Sequence, residues 1–161
     1  MHIQTFLAGH GIAHRVLLHA PAPSASRLAH VVHVPGDRVA KGVLVWTPPG
    51  YALAVLPSTH RVDLSRLAAV LRALDIRLAT EAEVSGVFHD CELGSIPPFG
   101  HLYGLPTVVD ASLAGGAEIV VEGNARHEGI RLRYRDFEAL EAPTRARFAV
   151  PIVQKGRRAV G

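Results

Sequence analysis

Residues 89–110 read HDCELGSIPPFGHLYGLPTVVD, and this stretch decides how the rest of the chain is organised. It contains three glycines, three prolines and the only cysteine of the chain. Glycine is unfavourable inside helices, and proline removes the backbone donor that a helix or a central strand requires. We therefore predict a loop over residues 95–104, followed by a strand at residues 107–109.

The predicted loop, together with Gly94, is called the central loop below, and its composition supports two interpretations. Glycines let the backbone approach a ligand closely, and prolines restrict the loop before a ligand binds. Such a loop can present backbone N–H groups to a polar ligand. In the second interpretation, it is only a tight connection between a helix and the following strand. Composition alone leaves both interpretations open.

Two apolar runs precede the central loop. They are RVAKGVLVWT at residues 38–47 and YALAVLP at residues 51–57, and Pro-Pro-Gly joins them. We predict a strand pair or hairpin with most of both faces covered. Lys41 interrupts the first run, and a buried ammonium without a partner is costly, so an enclosed face would indicate an anionic ligand. Alternatively, the lysine reaches water from a sheet edge.

Helical periodicity appears on both sides of the central loop. Asp63 is expected to cap a helix whose apolar stripe continues to Leu74. Thr80 and Glu83 have the spacing of a capping box, and Asp136 is expected to cap a last helix. Because single strands and strand pairs are mixed with short helices, we predict an α+β fold with a curved mixed or antiparallel sheet.

The composition is that of a globular protein. Of the 161 residues, 48% are hydrophobic and 19% are charged. The first residues lack the basic region of a signal peptide, and no apolar run reaches about 18 residues. We expect a single cytoplasmic domain at residues 1–150, a basic tail at residues 151–161, and no membrane association. One cysteine excludes an internal disulfide framework and is typical of a reducing compartment.

The net charge of +3 is compatible with an RNA partner but does not require one. The clearest basic cluster is formed by Lys155, Arg157 and Arg158 in the tail. These residues either contact RNA or belong to a solvated chain end. No Cys-x-x-Cys or His-Glu-x-x-His motif accompanies the histidines, so we predict neither a metal nor another cofactor.

Three segments, VPGDRVAKGVLV, CELGSIPPFG and GLPTVVDASL, together resemble the YbaK/prolyl-tRNA-synthetase-associated family of aminoacyl-tRNA editing domains. Gly94 and Pro98 fit the Gly-x-x-x-Pro motif of that family, and Lys41 fits its lysine on an early strand. The resemblance extends from about His14 to about Phe148. It implies a partly closed barrel with short helices around it, and a free-standing enzyme that hydrolyses the ester of mischarged tRNA.

The resemblance also implies the roles of individual residues. Lys41 is expected to hold the terminal adenosine, Gly94 to belong to the catalytic centre, and His127 to help place substrate or water. His127 is alternatively an exposed loop histidine. The central loop should supply backbone donors for the developing oxyanion. We also expect it to form a small pocket against the Lys41 strand and to lie within roughly 15 Å of Lys41. The residues expected to contact the substrate are Ser95, Ile96, Pro97, Pro98, Phe99 and Gly100.

The expected partners are mischarged tRNA, through its 3′ aminoacyl-adenosine end, and an aminoacyl-tRNA synthetase. Cys91 is a poor candidate nucleophile because Asp90 and Glu92 flank it and disfavour the thiolate. Two other classes of function stay open. One is a noncatalytic module that binds tRNA ends, a nucleotide or a partner protein, and the other is an unrelated small-molecule esterase.

Overall fold

The structure is a computed structural model that describes residues 2–20 and 25–153, so the basic cluster of the tail lies outside the described residues. The helices in these ranges are α1 (Ile3–Gly9), α2 (Ala25–Val31), α3 (Leu64–Leu71), α4 (Glu81–Val87) and α5 (Tyr134–Glu141). The strands are β1 (His14–Leu18), β2 (Val39–Thr47), β3 (Gly50–Pro57), β4 (His60–Val62), β5 (Arg77–Leu78), β6 (Thr107–Asp110), β7 (Glu118–Glu122), β8 (Glu128–Arg133), β9 (Thr144–Ala146) and β10 (Ala149–Pro151). Short 3-10 turns lie at Gly36–Arg38, Gly100–Tyr103 and Ala111–Gly115.

The main sheet is mixed, which confirms the predicted fold class. Its strands follow the order β1-β8-β7-β2-β3-β6-β9, and β5 pairs with β2 off this path. The pairs β2–β7, β3–β6 and β6–β9 are parallel, whereas β2–β3, β1–β8 and β7–β8 are antiparallel. A separate two-stranded sheet pairs β4 with β10. None of the helices in the described ranges is long and apolar enough to span a membrane.

The β2–β3 hairpin is buried on both faces, as its two uninterrupted apolar runs predict. Ala40 and Leu44 face the larger core cluster. Val45 and Leu56 face a second cluster, which Leu67 of α3 completes. Successive side chains on a strand point to opposite faces, so a hairpin covered on both sides needs apolar residues throughout.

Helix α3 begins where the sequence predicts but ends earlier. The Asp63 carboxylate accepts a hydrogen bond from the backbone N–H of Arg66 at 3.1 Å, which confirms the N-cap. The expected continuation to Leu74 is wrong. Arg72 adopts a left-handed conformation with φ 53° and closes the helix, so Leu74 lies beyond it and is fully exposed.

Helix α4 has the predicted capping box. The Thr80 hydroxyl accepts from the Glu83 N–H at 3.1 Å, and the Glu83 carboxylate accepts from the Thr80 N–H at 2.9 Å. The same carboxylate binds Arg77 of β5 at 2.7 Å and accepts from the Tyr51 hydroxyl on β3. The hydrogen bond from Arg77 is the largest cause that lowers the pKa of Glu83. One carboxylate thus joins α4 to two strands ahead of the central loop.

The last helix, α5, starts two residues before the predicted cap. Arg133 takes the N-cap position, and Asp136 lies within the first turn instead. The reason is the apolar pattern, because Tyr134 and Phe137 are both buried and belong on one face of the helix. Ala142 takes a left-handed φ of 47° and closes the helix. The short strands β4, β5, β9 and β10 were not predicted, since two or three residues carry no periodicity.

Asp110 of the third segment stabilises the fold. Its buried carboxylate accepts from the N–H of Ser112 at 3.1 Å, where it caps a 3-10 turn. It also accepts from the N–H groups of Phe148 and Ala149, at 3.0 and 2.9 Å. Because these bonds join segments about 38 residues apart in sequence, they hold the start of β10 against the main sheet.

Candidate functional site

The candidate site lies where strands β2 and β7 separate. Their parallel pairing ends at Ala40 and Val121. Partners in a ladder share one face of the sheet, so the next residues, Lys41 and Glu122, should follow on a common face. The gap that opens between the two strands is therefore bordered by one cationic and one acidic side chain.

The face that Lys41 and Glu122 share is the one covered by α2. Val39 and Val120, two residues earlier on each strand, pack with Leu28 of that helix. Side chains repeat on one face at every second residue of a strand. Lys41 and Glu122 thus project toward the α2 side, away from the larger core cluster.

The central loop fills the gap between the two strands. A Cβ atom placed on Gly42 would lie 2.8 Å from the Ile96 side chain, so only glycine leaves room there. On the other side of the gap, the Ile96 N–H donates to the Glu122 carboxylate at 3.0 Å. Lys41 is bonded to Gly42, with Cα atoms about 3.8 Å apart, so it lies much closer to the loop than the expected limit of roughly 15 Å.

The backbone donors of the central loop are mostly in use. Ser95 donates its N–H to a carbonyl oxygen of the preceding turn at 3.0 Å, and Ile96 donates to Glu122. Pro97 and Pro98 have no N–H, and residues 97–100 are buried. Gly94 is exposed, and its N–H donates to no group that the structure describes. We expected several backbone oxyanion donors in this loop. In the structure, Gly94 is the residue at its exposed end whose N–H is unused by any described group.

Gly94 requires its glycine for a conformational reason. Its φ is +90°, in the left-handed region that L side chains rarely adopt. An added Cβ would have space, since the nearest atom, Nε of Arg126, would be 4.0 Å away. Glycine is therefore needed at position 94 for the backbone conformation, which sets where the N–H points, and not because space is short.

The far end of the central loop is an anchor. Phe99 is fully buried and packs edge-on against Phe6 and Phe137, with ring centroids 6.1 and 5.6 Å apart. A Cβ on Gly100 would collide with the Thr107 hydroxyl oxygen. The side chain of Phe99 therefore lies in the core, and its expected contact with substrate stays a prediction that this placement does not support.

The 3-10 turn at the end of the central loop is held in place by a carboxylate of α5. The buried Glu141 carboxylate accepts from the His101 N–H at 2.7 Å and from the Thr107 hydroxyl at 2.8 Å. Burial is the largest cause acting on Glu141 and raises its pKa, while the two hydrogen bonds lower it. This interior carboxylate fixes the loop on the side away from Gly94.

Lys41 is half-buried and has no counterion among the described residues. In the β2–β3 ladder its partner is the apolar Leu56. Burial lowers the pKa of the Lys41 ammonium, and no carboxylate contributes to the shift. A half-buried ammonium without a counterion can still bind an anionic or polar ligand group.

Two cavities adjoin the exposed end of the central loop. One, of about 180 Å³, lies against α4 and is bordered by residues 91–95. The other, of about 10 Å³, is lined by His19, Leu28, Ser95, Glu122, Arg126 and Glu128. Neither includes Lys41, so these two cavities are not the pocket expected between the loop and the lysine strand. Ile96 packs onto that strand at Gly42.

A larger cavity lies elsewhere, at the start of β7. Its volume is about 520 Å³, and Arg133, Tyr134 and Arg145 are among its lining residues. Arg145 is already paired with Glu138 at 2.6 Å. Because this cavity contains no residue of the central loop, whereas Gly94 or Ser95 lines each of the two smaller cavities, we place the candidate site at the smaller cavities.

Cys91 is a poor nucleophile in the structure, as predicted, but mainly for a different reason. Burial is the largest cause that raises its pKa to about 11, and the hydrogen bond to Asp90 adds to it. The thiol also contacts the Tyr103 hydroxyl at 3.3 Å and Asn124 Nδ2 at 3.6 Å. It therefore stays protonated near neutral pH and joins three segments.

The β7–β8 connection positions the start of the central loop, a role that little in the sequence indicates. Asn124 is buried; its side-chain oxygen accepts from the Ile3 N–H and its carbonyl from the Glu92 N–H, both at 2.8 Å. The Arg126 N–H donates to the Glu92 carboxylate at 2.5 Å. Only the charge of Glu122 at the end of an apolar strand could have indicated this connection.

His127 lies at the edge of this region. It is exposed, and its Nε2 lies 3.8 Å from a Glu128 carboxylate oxygen. Its carbonyl accepts from the His19 N–H at 3.0 Å. The side chain lines neither cavity beside Gly94, so its role in placing substrate or water stays a prediction. Among the described side chains, no group of three or more His, Cys, Asp and Glu residues is arranged to hold a metal ion.

Solved structures share this fold. A structure described as a candidate trans-editing enzyme for prolyl-tRNA synthetase matches with a TM-score of 0.82 and 23% identity, over 92% of this chain and 94% of that one. A hypothetical protein matches with a TM-score of 0.84 and 18% identity, over 92% and 99% of the two chains. At these identities the likeness shows the fold alone.

The sequence comparisons define the family. The model of the aminoacyl-tRNA editing domain matches residues 19–140, so the chain belongs to that family and the resemblance read from its motifs is confirmed. The proline–tRNA ligase of Xanthomonas campestris is 30% identical over 98 residues, and that of Xanthomonas axonopodis is 31% identical over 97. The matches cover 61% and 60% of this chain, but only 17% of either ligase.

Proposed function

We propose that this domain hydrolyses the ester bond between a wrongly attached amino acid and the 3′ adenosine of tRNA. The observation that carries the proposal is the half-buried Lys41, without a counterion in the described ranges, on the strand against which Ile96 packs. Ile96 follows two residues after Gly94, whose N–H is exposed and unused by any described group. A cation and a directed backbone donor suit a substrate with a phosphate or ribose group next to an ester carbonyl. Membership of the editing-domain family supports this assignment.

The reaction is acyl transfer to water. Water attacks the ester carbonyl, negative charge develops on the carbonyl oxygen, and the bond from the carbonyl carbon to the ribose oxygen breaks. The leaving ribose oxygen takes a proton that comes from the attacking water, through the neighbouring ribose hydroxyl of the substrate. The products are a free amino acid and uncharged tRNA.

Each residue of the proposed site has a limited task in this reaction. Lys41 holds the terminal adenosine through its phosphate or hydroxyl groups, and Gly94 donates its N–H to the developing oxyanion. One such donor is commonly worth about 10²- to 10³-fold in rate. No covalent intermediate is required, because an aminoacyl ester is already activated and the Cys91 thiol is protonated near neutral pH.

The proposed partners follow from the relatives. The curated relatives are proline–tRNA ligases, and one structural neighbour is described as a candidate trans-editing enzyme for prolyl-tRNA synthetase. We propose that this domain acts free-standing on tRNA that such a synthetase has charged with a wrong amino acid. Which amino acid is removed depends on the shape of the cavity beside Gly94.

The experiment is a panel of mischarged tRNAs that carries alanyl, cysteinyl and seryl esters. The proposal predicts release of amino acid over many turnovers from at least one member. A noncatalytic module would retain or protect the charged tRNA. An unrelated esterase would hydrolyse a simple acyl ester equally well without tRNA. Either result would contradict the proposal.

A further inference from the structure

The smaller cavity beside the central loop contains an unusual concentration of unsatisfied polar atoms. Five buried side-chain polar atoms in the described ranges have no hydrogen-bond partner. Three of these, His19 Nε2, Ser95 Oγ and Glu128 Oε2, belong to residues that line this single cavity. Buried polar groups are normally hydrogen-bonded, so three unpaired atoms around one space indicate a site that suits a polar ligand group.

The three unpaired atoms are mainly acceptors. His19 Nδ1 lies 2.6 Å from the Ala20 carbonyl oxygen and must donate to it, so Nε2 of the neutral ring carries a lone pair. Glu128 Oε2 is a carboxylate oxygen, and the imidazole Nε2 of His2 is 3.9 Å away, beyond hydrogen-bond distance. The Ser95 hydroxyl can accept as well as donate, and this residue is only 3% exposed.

The charges and the size of the cavity make it suited to a small cation. Glu122 adds a second carboxylate, whereas Arg126 contributes the one guanidinium and Leu28 an apolar surface. One oxygen of Glu122 already accepts from the Ile96 N–H, which holds the carboxylate in place. The cavity volume of about 10 Å³ accommodates a single heavy atom such as a water oxygen or an ammonium nitrogen.

The position of the cavity relates it to the reacting ester. Ser95, which faces the cavity, directly follows Gly94, whose N–H is the proposed oxyanion donor. In an aminoacyl ester, the α-ammonium nitrogen and the carbonyl carbon are both bonded to the same α-carbon. A substrate whose carbonyl oxygen accepts from Gly94 therefore has its ammonium group within reach of the neighbouring residue.

We propose that His19, Ser95, Glu122 and Glu128 form an ammonium subsite that accepts the α-ammonium group of the aminoacyl ester. This proposal rests on the proposed deacylase function and adds a selection rule to it. Esters with a free α-amino group are bound, whereas esters with an acylated amino group are rejected because a one-atom cavity has no room for the acyl group. The subsite would spare N-acylated aminoacyl-tRNA.

Binding of a non-hydrolysable ligand pair tests the subsite separately from catalysis. The pair is 3′-alanylamino-3′-deoxyadenosine and its lactyl counterpart, which differ only in the ammonium or hydroxyl group on the α-carbon. A charge-assisted hydrogen bond supports a preference of roughly ten- to 150-fold for the alanyl compound in titration calorimetry. Glu128→Gln should reduce this preference to a few-fold, and Ser95→Ala should weaken it less. The lactyl compound should bind both variants as it binds the unmodified domain.

Glu118→Gln is the matched control, because Glu118 is an exposed glutamate at the far end of β7, paired with Arg131. It should keep the full preference. Equal affinity of the unmodified domain for both compounds, an unchanged preference in Glu128→Gln, or no binding of either compound would each overturn the subsite. Failure of the deacylase itself would appear separately, as absence of turnover on the mischarged tRNA panel despite a normal ammonium preference.

Discussion

Each end of the central loop contains a glycine, but one of these glycines is exposed and the other is buried. At one end, Gly94 is exposed with φ +90°, and its N–H is unused by any described group. At the other end, Phe99 and Gly100 are fully enclosed, and Gly100 is a glycine because Thr107 leaves no room for a Cβ. Gly94 therefore directs a donor outward, whereas Gly100 lets the loop pack closely.

A core substitution at the anchored end should have the largest effect on stability. Phe99→Ala removes a fully buried ring between Phe6 and Phe137 and should lower the free energy of unfolding by about 3–5 kcal/mol. Urea denaturation measures this change. Phe99→Leu, which fills most of the space, is the matched control and should cost less. A loss under about 1 kcal/mol for the alanine variant would show that the loop end does not anchor the fold.

A substitution at the exposed end should lower both stability and turnover. Gly94→Ala forces an L residue into φ +90°, a strain of about 1–3 kcal/mol, although the new Cβ has space. Relief of that strain would move the Gly94 N–H, so turnover of mischarged tRNA should fall together with stability.

Gly104→Ala provides the control for Gly94→Ala. Gly104 also has a left-handed φ, of +69°, with open space around a Cβ, but it lies at the end of the 3-10 turn. It should lose a similar amount of stability in a thermal melt and keep its turnover. Equal loss of turnover in both glycine variants would mean that the loop acts as a whole and that the two ends do not differ.

The smallest effect is expected at the cysteine. Cys91→Ser should keep most of the turnover, because burial raises the pKa of the thiol to about 11 and leaves it protonated near neutral pH. Initial rates on a responsive mischarged tRNA, together with a thermal melt, measure this. Loss of turnover in a variant of unchanged stability and tRNA affinity would instead support a thiol mechanism.

Features that depend on local sequence were predicted well. The paired apolar strands, the Asp63 cap and the Thr80–Glu83 capping box all follow from residues close together in the chain. The extension of α3 to Leu74 failed because periodicity cannot reveal a left-handed residue at Arg72. Two- and three-residue strands such as β9 form only through their tertiary partners.

The candidate site was predicted in part. Lys41 and Gly94 were identified through the family motifs, but Glu122, Arg126 and Glu128 were not. Their positions depend on the register of β2 against β7, which joins residues about 80 apart in the chain. The arrangement of the unpaired polar atoms around the small cavity also depends on how these strands pack. No local pattern in the sequence carries that information.

Lys41 tests the central claim most directly, because it is the one cation in the apolar strand β2, against which the central loop packs. The measurement is kcat/KM for the responsive mischarged tRNA with Lys41→Ala, paired with a thermal melt. Loss of a charge-assisted contact should reduce kcat/KM by roughly ten- to 150-fold in a folded protein. Lys41→Arg should also be impaired, since a planar guanidinium cannot replace a compact ammonium in a close-packed site. Near-normal turnover in a folded Lys41→Ala protein would contradict the account.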